Sequence, residues 1–320
     1  MLQTLKLPFR AIAKPNPPEV PAEIARDLAY RTPFGRPRPK EPGRLIAELD
    51  AERDCERIVR LLLLYEFPFD LQRALEIALV HTYGSRSVAR LLDKTGEFEK
   101  RGQKRYDDTR TLIAYFLVGG FRLSDGQRAI EQMNRIHARY TIPNDDYLFV
   151  LWTFIDFPIQ WMREFGWRAF TAHEAHAWFT FWCEVGRRMG LKDIPPTKPA
   201  FDMFVHAYEA REFVPNEASR RVTEATIRII EAWVPAALRP LVGPVLLSLV
   251  RPHMLPAAQL SAPPAWVGQV ARGVLKTRAR IKRYVSLENV PVRVEDTKNR
   301  TYPNYDFTIE TLGPAYAHQR

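Results

Sequence analysis

Apolar residues recur at i, i+3, i+4 and i+7 through most of the 320-residue chain, and the alternating runs that make strands are nearly absent. The pattern predicts an all-α protein. Helices fall at about 46–64, 71–81, 85–92, 103–118, 126–140, 144–165, 172–190, 201–213, 217–233, 236–249 and 266–284. Their boundaries carry recognisable signals. Gly119-Gly120 stops one helix and Ser124-Asp125 reads as the cap of the next; Thr171 and Glu174 form a capping box, and Pro195-Pro196 follow the stop at Gly190. Nine of the 26 prolines lie between Pro8 and Pro42, which marks residues 1–44 as an extended, proline-rich arm. Residues 286–320 read as an irregular tail, which leaves 45–285 as the helical body.

Composition narrows the class. With 46% hydrophobic and 26% charged residues the chain can bury a core, so disorder is excluded. Two cysteines, Cys55 and Cys183, are too few for a disulfide framework or a four-cysteine zinc site, and read as buried hydrophobes in a reducing compartment. No run reaches the roughly 18 to 20 apolar residues of a membrane span, and the N-terminus lacks the apolar core of a signal peptide. The expected location is cytoplasmic. Forty-seven Lys and Arg against 37 Asp and Glu give a net charge of +10. Much of that excess sits on the amphipathic helix 266–284, with Arg272, Lys276, Arg278, Arg280, Lys282 and Arg283 and no acid before Glu288. Such a helix either packs by its apolar side or docks on an anionic membrane surface. Nucleic acid is disfavoured, because no helix-turn-helix, zinc-finger or RNA-binding signature accompanies the charge. Phosphate-loop, dinucleotide-binding and nucleophile-elbow motifs are also absent, which disfavours kinase, P-loop, dehydrogenase and α/β-hydrolase chemistry.

Three groups of residues could carry chemistry. Arg105, Thr109, Leu112, Ile113 and Phe116 share one helical face. An arginine there either snorkels outward, pairs with Asp107 or Asp108, or faces a pocket. His137 lies on an apolar stripe with Ile130, Met133, Ile136 and Tyr140, either as a packed core imidazole or as an axial haem ligand. His173 and His176 stand at i, i+3 with no evident third ligand, and Glu174 is accounted for by its cap. The aromatic runs around 147–182 read as core or as the walls of a large apolar pocket.

The order and spacing of RYDDT, AIEQMNRIHARYTIPNDDYLFVLWTF, FGWR, FWCEVGRRMGLKDIP and PPAW resemble the MpaB and latex-clearing rubber oxygenase family over about residues 45–285. The resemblance implies an all-helical, globin-like bundle that binds haem b and uses dioxygen to cleave double bonds of an isoprenoid or other apolar substrate. It places the family's Arg-x-x-x-Thr pattern on Arg105 and Thr109, and its axial histidine on His137. In the rubber oxygenases a lysine precedes the threonine; here Asp108 stands there, a candidate for tuning the pocket or its proton supply. Glu97 and Glu99 lie upstream, where the family's glutamate would be sought, without aligning to it. The rival expectations are a haem-binding sensor without turnover and a basic all-α protein acting at a membrane surface.

Overall fold

The computed structural model describes residues 22–293 and 297–314, so the first part of the proline-rich arm and the last residues of the tail lie outside the described residues. The protein is all-α. Its helices are α1 (Ala22–Asp27), α2 (Glu41–Glu48), α3 (Cys55–Leu61), α4 (Pro68–Thr82), α5 (Arg86–Thr95), α6 (Glu97–Gly119), α7 (Ser124–His137), α8 (Asn144–Phe165), α9 (Ala172–Arg188), α10 (Lys198–Glu212), α11 (Glu217–Glu231), α12 (Arg239–Leu249), α13 (Met254–Ala257) and α14 (Ala265–Lys282). The expected helix over 46–64 is divided into α2, α3 and a π-helical turn at Leu62–Glu66. In that turn Phe67 N donates to Leu62 O, and the Leu64 carbonyl is left to accept from Val292 in the tail.

α8 is the axle of the bundle. Its Leu148, Phe149, Leu151, Trp152, Ile155, Phe157, Trp161 and Met162 are all buried, as expected of a helix that is apolar around most of its circumference. It packs along α4 and against α9, α10 and α14. Pro158 interrupts its hydrogen-bond ladder, because a prolyl nitrogen cannot donate to the carbonyl four residues back. The freed carbonyl, that of Phe154, accepts instead from Trp178 Nε1 at 3.0 Å and so ties α9 to α8.

Glycine sets the corner between α6 and α7. Gly120 has φ +70°, a conformation costly for a residue with a Cβ, and a Cβ there would collide with the Glu56 carboxylate. That carboxylate accepts from the backbone N–H groups of Phe121 and Arg122 at 2.5 and 2.9 Å. At Gly126 a Cβ would lie 1.9 Å from the Gly120 carbonyl oxygen. α7 begins at Ser124, two residues earlier than expected. Ser124 and Asp125 belong to its first turn, and Asp125 pairs with Arg128.

The tail is structured where it is described. Arg110 donates to Thr297 and Lys298, Thr301 to Asp107, Gln132 to the Glu310 and Leu312 carbonyls, and Arg128 pairs with Glu310. Val290, Ile309 and Leu312 join the same hydrophobic core as the helices. Residues 22–44 also pack inward: Asp27, fully buried, pairs with Arg57 and Arg60. Cys55 and Cys183 are free and buried, their thiols pushed up to about 11 and about 12 by desolvation.

Because Gly126 abuts backbone that cannot give way, Gly126→Ala is expected to splay α6 from α7 and to destabilise the protein by about 1–3 kcal/mol. Urea denaturation compares it with wild type; equal midpoints would show that the corner has slack.

Candidate active site

α6 and α7 leave the glycine corner side by side and form two walls of a partly open cavity, completed by α4, α5, α8 and α9. From α6 the cavity takes Glu97, Arg105, Thr109, Ile113 and Phe116, and from α7 Met133, Ile136 and His137. The stripe foreseen on each helix therefore faces the same space, except that Leu112 and Ile130 turn into the packed core. α7 ends at His137 itself, so Tyr140 and Ile142 line the cavity from the following loop. The lining is overwhelmingly apolar, which fits a site for an organic group with few polar anchors.

Glu97, Asp146, Thr82 and Thr95 in this wall have partners, and the exceptions are two ring nitrogens. His137 Nδ1 is buried with no hydrogen bond, and the ring's one aromatic neighbour, Tyr147, stands edge-on at 5.5 Å. Burial pushes the imidazole down to about 4, and the Arg105 guanidinium adds to the shift, so the ring is neutral near pH 7. Its residual accessible surface opens into the cavity. Trp182 Nε1, in the same wall, is likewise buried without an acceptor. Arg105 donates to Thr109 Oγ1 across one turn and lies 5.9 Å from the Phe98 ring centroid. It makes no ion pair among the described residues: of the acids near it in sequence, Asp107 binds Gln103 and Thr301, and Asp108 pairs with Lys104. A guanidinium without a carboxylate is an open seat for an anion.

Other candidate residues are placed elsewhere. Asp108 does not line the cavity: it is buried on another face of α6, 2.6 Å from Lys104 Nζ and 2.8 Å from the Tyr302 hydroxyl. Burial raises its carboxyl above the usual range, against the opposing pull of Lys104 and Tyr302. Lys104 also donates to the Gly313 carbonyl, next to Pro314, which lines the cavity. Glu97 reaches the cavity wall paired with Arg101, whereas Glu99 pairs with Arg228 on the exterior. His173 contacts the Ile46 carbonyl and His176 contacts Glu52, so the two rings go to separate partners. Glu174 closes the expected capping box and also holds Arg168, which binds Glu66 as well. The FGWR stretch thus serves as a strut between α8 and α9.

A second cluster has no signal in the local sequence. The carboxylate of Glu209 sits between His81 Nε2 at 2.7 Å and His253 Nε2 at 3.1 Å, close enough for the three to share a cation. Desolvation pushes the fully buried His81 down to about 4. Burial acts to raise Glu209, but hydrogen bonds from both rings outweigh it and hold the carboxyl at about 2. A neutral His81 donating Nε2–H to a charged Glu209 satisfies both shifts. None of the three lines the cavity of His137.

An all-α bundle around a largely apolar cavity, with an imidazole and an indole N–H lacking hydrogen-bond partners and a guanidinium lacking an ion pair among the described residues, defines a pocket suited to an organic molecule. The comparisons carry this further. The profile of the family described as "ER-bound oxygenase mpaB/B'/Rubber oxygenase, catalytic domain" matches residues 72–283, and the chain belongs to that family. It is 30% identical over 244 residues to ER-bound oxygenase mpaB' of Penicillium brevicompactum, covering 69% of this chain and 56% of the relative. It is also 28% identical over 193 residues to ER-bound oxygenase mpaB of Penicillium roqueforti (strain FM164), covering 55% and 65%. The match to mpaB of Penicillium brevicompactum is 31% over 187 residues, covering 52% and 47%. The chain thus spans about half to two thirds of the length of these relatives. Arg105, Thr109 and His137 all fall inside the matched region.

The two neutral histidines set an acid limit on stability. An unfolded histidine takes up its proton near pH 6.5, whereas His81 and His137 do so only near 4 when folded. Between those values the unfolded chain binds more protons, so stability falls as pH falls, by up to about 3 kcal/mol for each ring. In urea denaturation at about pH 7 and about pH 5, His137→Phe is expected to lose roughly half as much stability as wild type over that interval. An undiminished loss would show that folded His137 protonates normally.

Proposed function

We propose that this protein is a haem b-dependent oxygenase that uses dioxygen on an apolar, isoprenoid or lipid-like substrate. The observation that carries the reading is the pairing, in one apolar cavity, of a neutral imidazole with an orphaned ring nitrogen and a guanidinium without a carboxylate. Those groups fit haem: His137 would hold its iron, and Arg105 would be the cation for a haem carboxylate. Haem supplies the dioxygen chemistry when bound. The protein's part is orientation and exclusion of water. Desolvation keeps His137 unprotonated, which a nitrogen ligand requires. Thr109 fixes the Arg105 side chain by accepting its N–H and returns its own hydroxyl to the Arg105 carbonyl at 2.8 Å. Apolar side chains from six helices limit water in the cavity. Two carboxylates lie in that wall, Glu97 paired with Arg101 and Asp146 accepting from Ser87 and Tyr208, and they are the groups placed to hold or move a proton. Asp108 acts at a distance, through Lys104, on the tail at Gly313, next to Pro314. The names of the relatives as ER-bound oxygenases support both the oxidative chemistry and a position at a membrane.

The test is the absorption spectrum of protein purified with haem supplied. Wild type is expected to show a Soret band that His137→Ala shifts or abolishes. Arg105→Ala is expected to keep its helical circular dichroism while losing haem roughly tenfold more readily, the equivalent of one charge-assisted contact. A colourless protein, or a spectrum indifferent to His137, sinks the haem assignment. Oxygen uptake with isoprenoid lipids then separates an oxygenase from a protein that only binds haem.

A further inference from the structure

The sequence pattern leaves two roles for the apolar side of α14, packing inward or docking on a membrane surface. Val267 and Leu275 pack inward, whereas Trp266, Val270, Val274, Ile281 and Tyr284 form one exposed stripe, with Val274 64% and Tyr284 73% exposed. The charges at Arg278 and Lys282 turn inward, where Asp70 and Glu288 neutralise them; Lys282 is 1% exposed. The helix is anchored by ion pairs and presents its apolar face outward. Neighbouring α12 behaves similarly, with Leu241 and Val245 exposed and Leu238 just before it. Eight of the ten exposed large hydrophobic residues among the described residues thus lie between 238 and 284, a concentration beyond the scattered apolar residues of an ordinary surface.

Charge says what covers this face. From residue 232 to 287 there is no Asp or Glu, and there are eight Lys and Arg. Four of these, Arg251, Arg272, Arg278 and Lys282, make ion pairs with acids elsewhere in the fold. The other four, Arg239, Lys276, Arg280 and Arg283, are exposed and form no ion pair among the described residues. On α14 the three cations flank the apolar stripe. Trp266 and Tyr284 mark its two ends, five turns apart, the placement aromatic residues take at the boundary between lipid and water.

Behind α12 lies a second, partly open apolar cavity. Val242, Val245 and Leu249 form its α12 wall, and Val245 is itself exposed on the outer face. At its inner end are Leu79, Arg105 and Thr109, which also line the cavity of His137. The two spaces share a wall at the residues proposed to carry the chemistry.

We propose that the α12–α14 face seats on the surface of an anionic lipid bilayer, and that the cavity behind Val245 is the passage by which a membrane-dissolved apolar substrate reaches Arg105 and Thr109. The second half rests on the function proposed above; the first does not. Sedimentation of the full chain with vesicles of phosphatidylcholine, alone or mixed with phosphatidylserine, tests the seat. Binding is expected with the mixed vesicles, to fall with salt, and to drop about tenfold or more in the triple variant Lys276→Glu, Arg280→Glu, Arg283→Glu. Val270→Ser with Val274→Ser is expected to weaken it as well, and lipids brominated along their chains are expected to quench Trp266, a signal lost in Trp266→Phe. Equal binding to both vesicles, or none, overturns the seat. So does a dimer, seen by light scattering, that the Val274→Ser change dissociates without altering vesicle binding. For the passage, Val245→Trp is expected to lower the affinity for a fluorescent polyene fatty acid several-fold while leaving haem absorption unchanged. Unaltered probe affinity in a haem-loaded Val245→Trp protein overturns the passage alone. Failure to load haem overturns the function and leaves the vesicle result standing.

Discussion

The backbone contact between Gly120 and Gly126 is the constraint on which the site depends. Side chains normally hold helices 8–10 Å apart. At this corner the Cβ atoms are missing, and a Cβ on Gly119 would already lie 2.9 Å from Gly126 N. α6 and α7 therefore leave a common origin with little freedom, and the Glu56 carboxylate clamps the turn from outside. Arg105 and His137 sit three to four turns from that origin. Their confrontation across one cavity is a property of the corner as much as of their own surroundings.

The interior otherwise leaves few polar groups unsatisfied. Asp27 is held by Arg57 and Arg60, Glu66 by Arg38 and Arg168, Asp146 by Ser87 and Tyr208, and Asp156 by Lys198 and Arg251. Even the carbonyl freed by Pro158 finds an indole. Against that thoroughness, the orphaned nitrogens of His137 and Trp182 in one wall point to a missing partner and not to careless packing. In the His81–Glu209–His253 cluster each ring has the Glu209 carboxylate, and His81 Nδ1 is likewise buried without a partner among the described residues.

Much of this was legible in the sequence because it is local. Helical periodicity placed Arg105, Thr109, Ile113 and Phe116 on one face and His137 on another apolar stripe, and the glycine pair at 119–120 marked the corner. The fate of the charges was not legible. Asp108 meets Tyr302 across 194 positions, and His81 meets Glu209 across 128. Neither separation leaves a trace in a window of one or two turns. α14 kept two readings open for a related reason: periodicity shows that a helix has an apolar stripe, but the direction it faces depends on distant partners, here Asp70 and Glu288. Glu97 was visible as a candidate, yet only the arrangement of α5 and α6 distinguishes it from Glu99.

The tail that crosses α6 and α7 carries a consequence for timing. Gln132 meets Leu312 and Lys104 meets Gly313 over separations of 180 and 209 residues, among the longest loops the fold must close. Loop-closure entropy delays such contacts until the helices they bridge are already in place. During folding, the hollow between α6, α7 and α8 exists before Pro314 shuts one side of it. Whatever molecule the cavity takes would find it most open in that interval, and the docking of the tail would then stand across its exit.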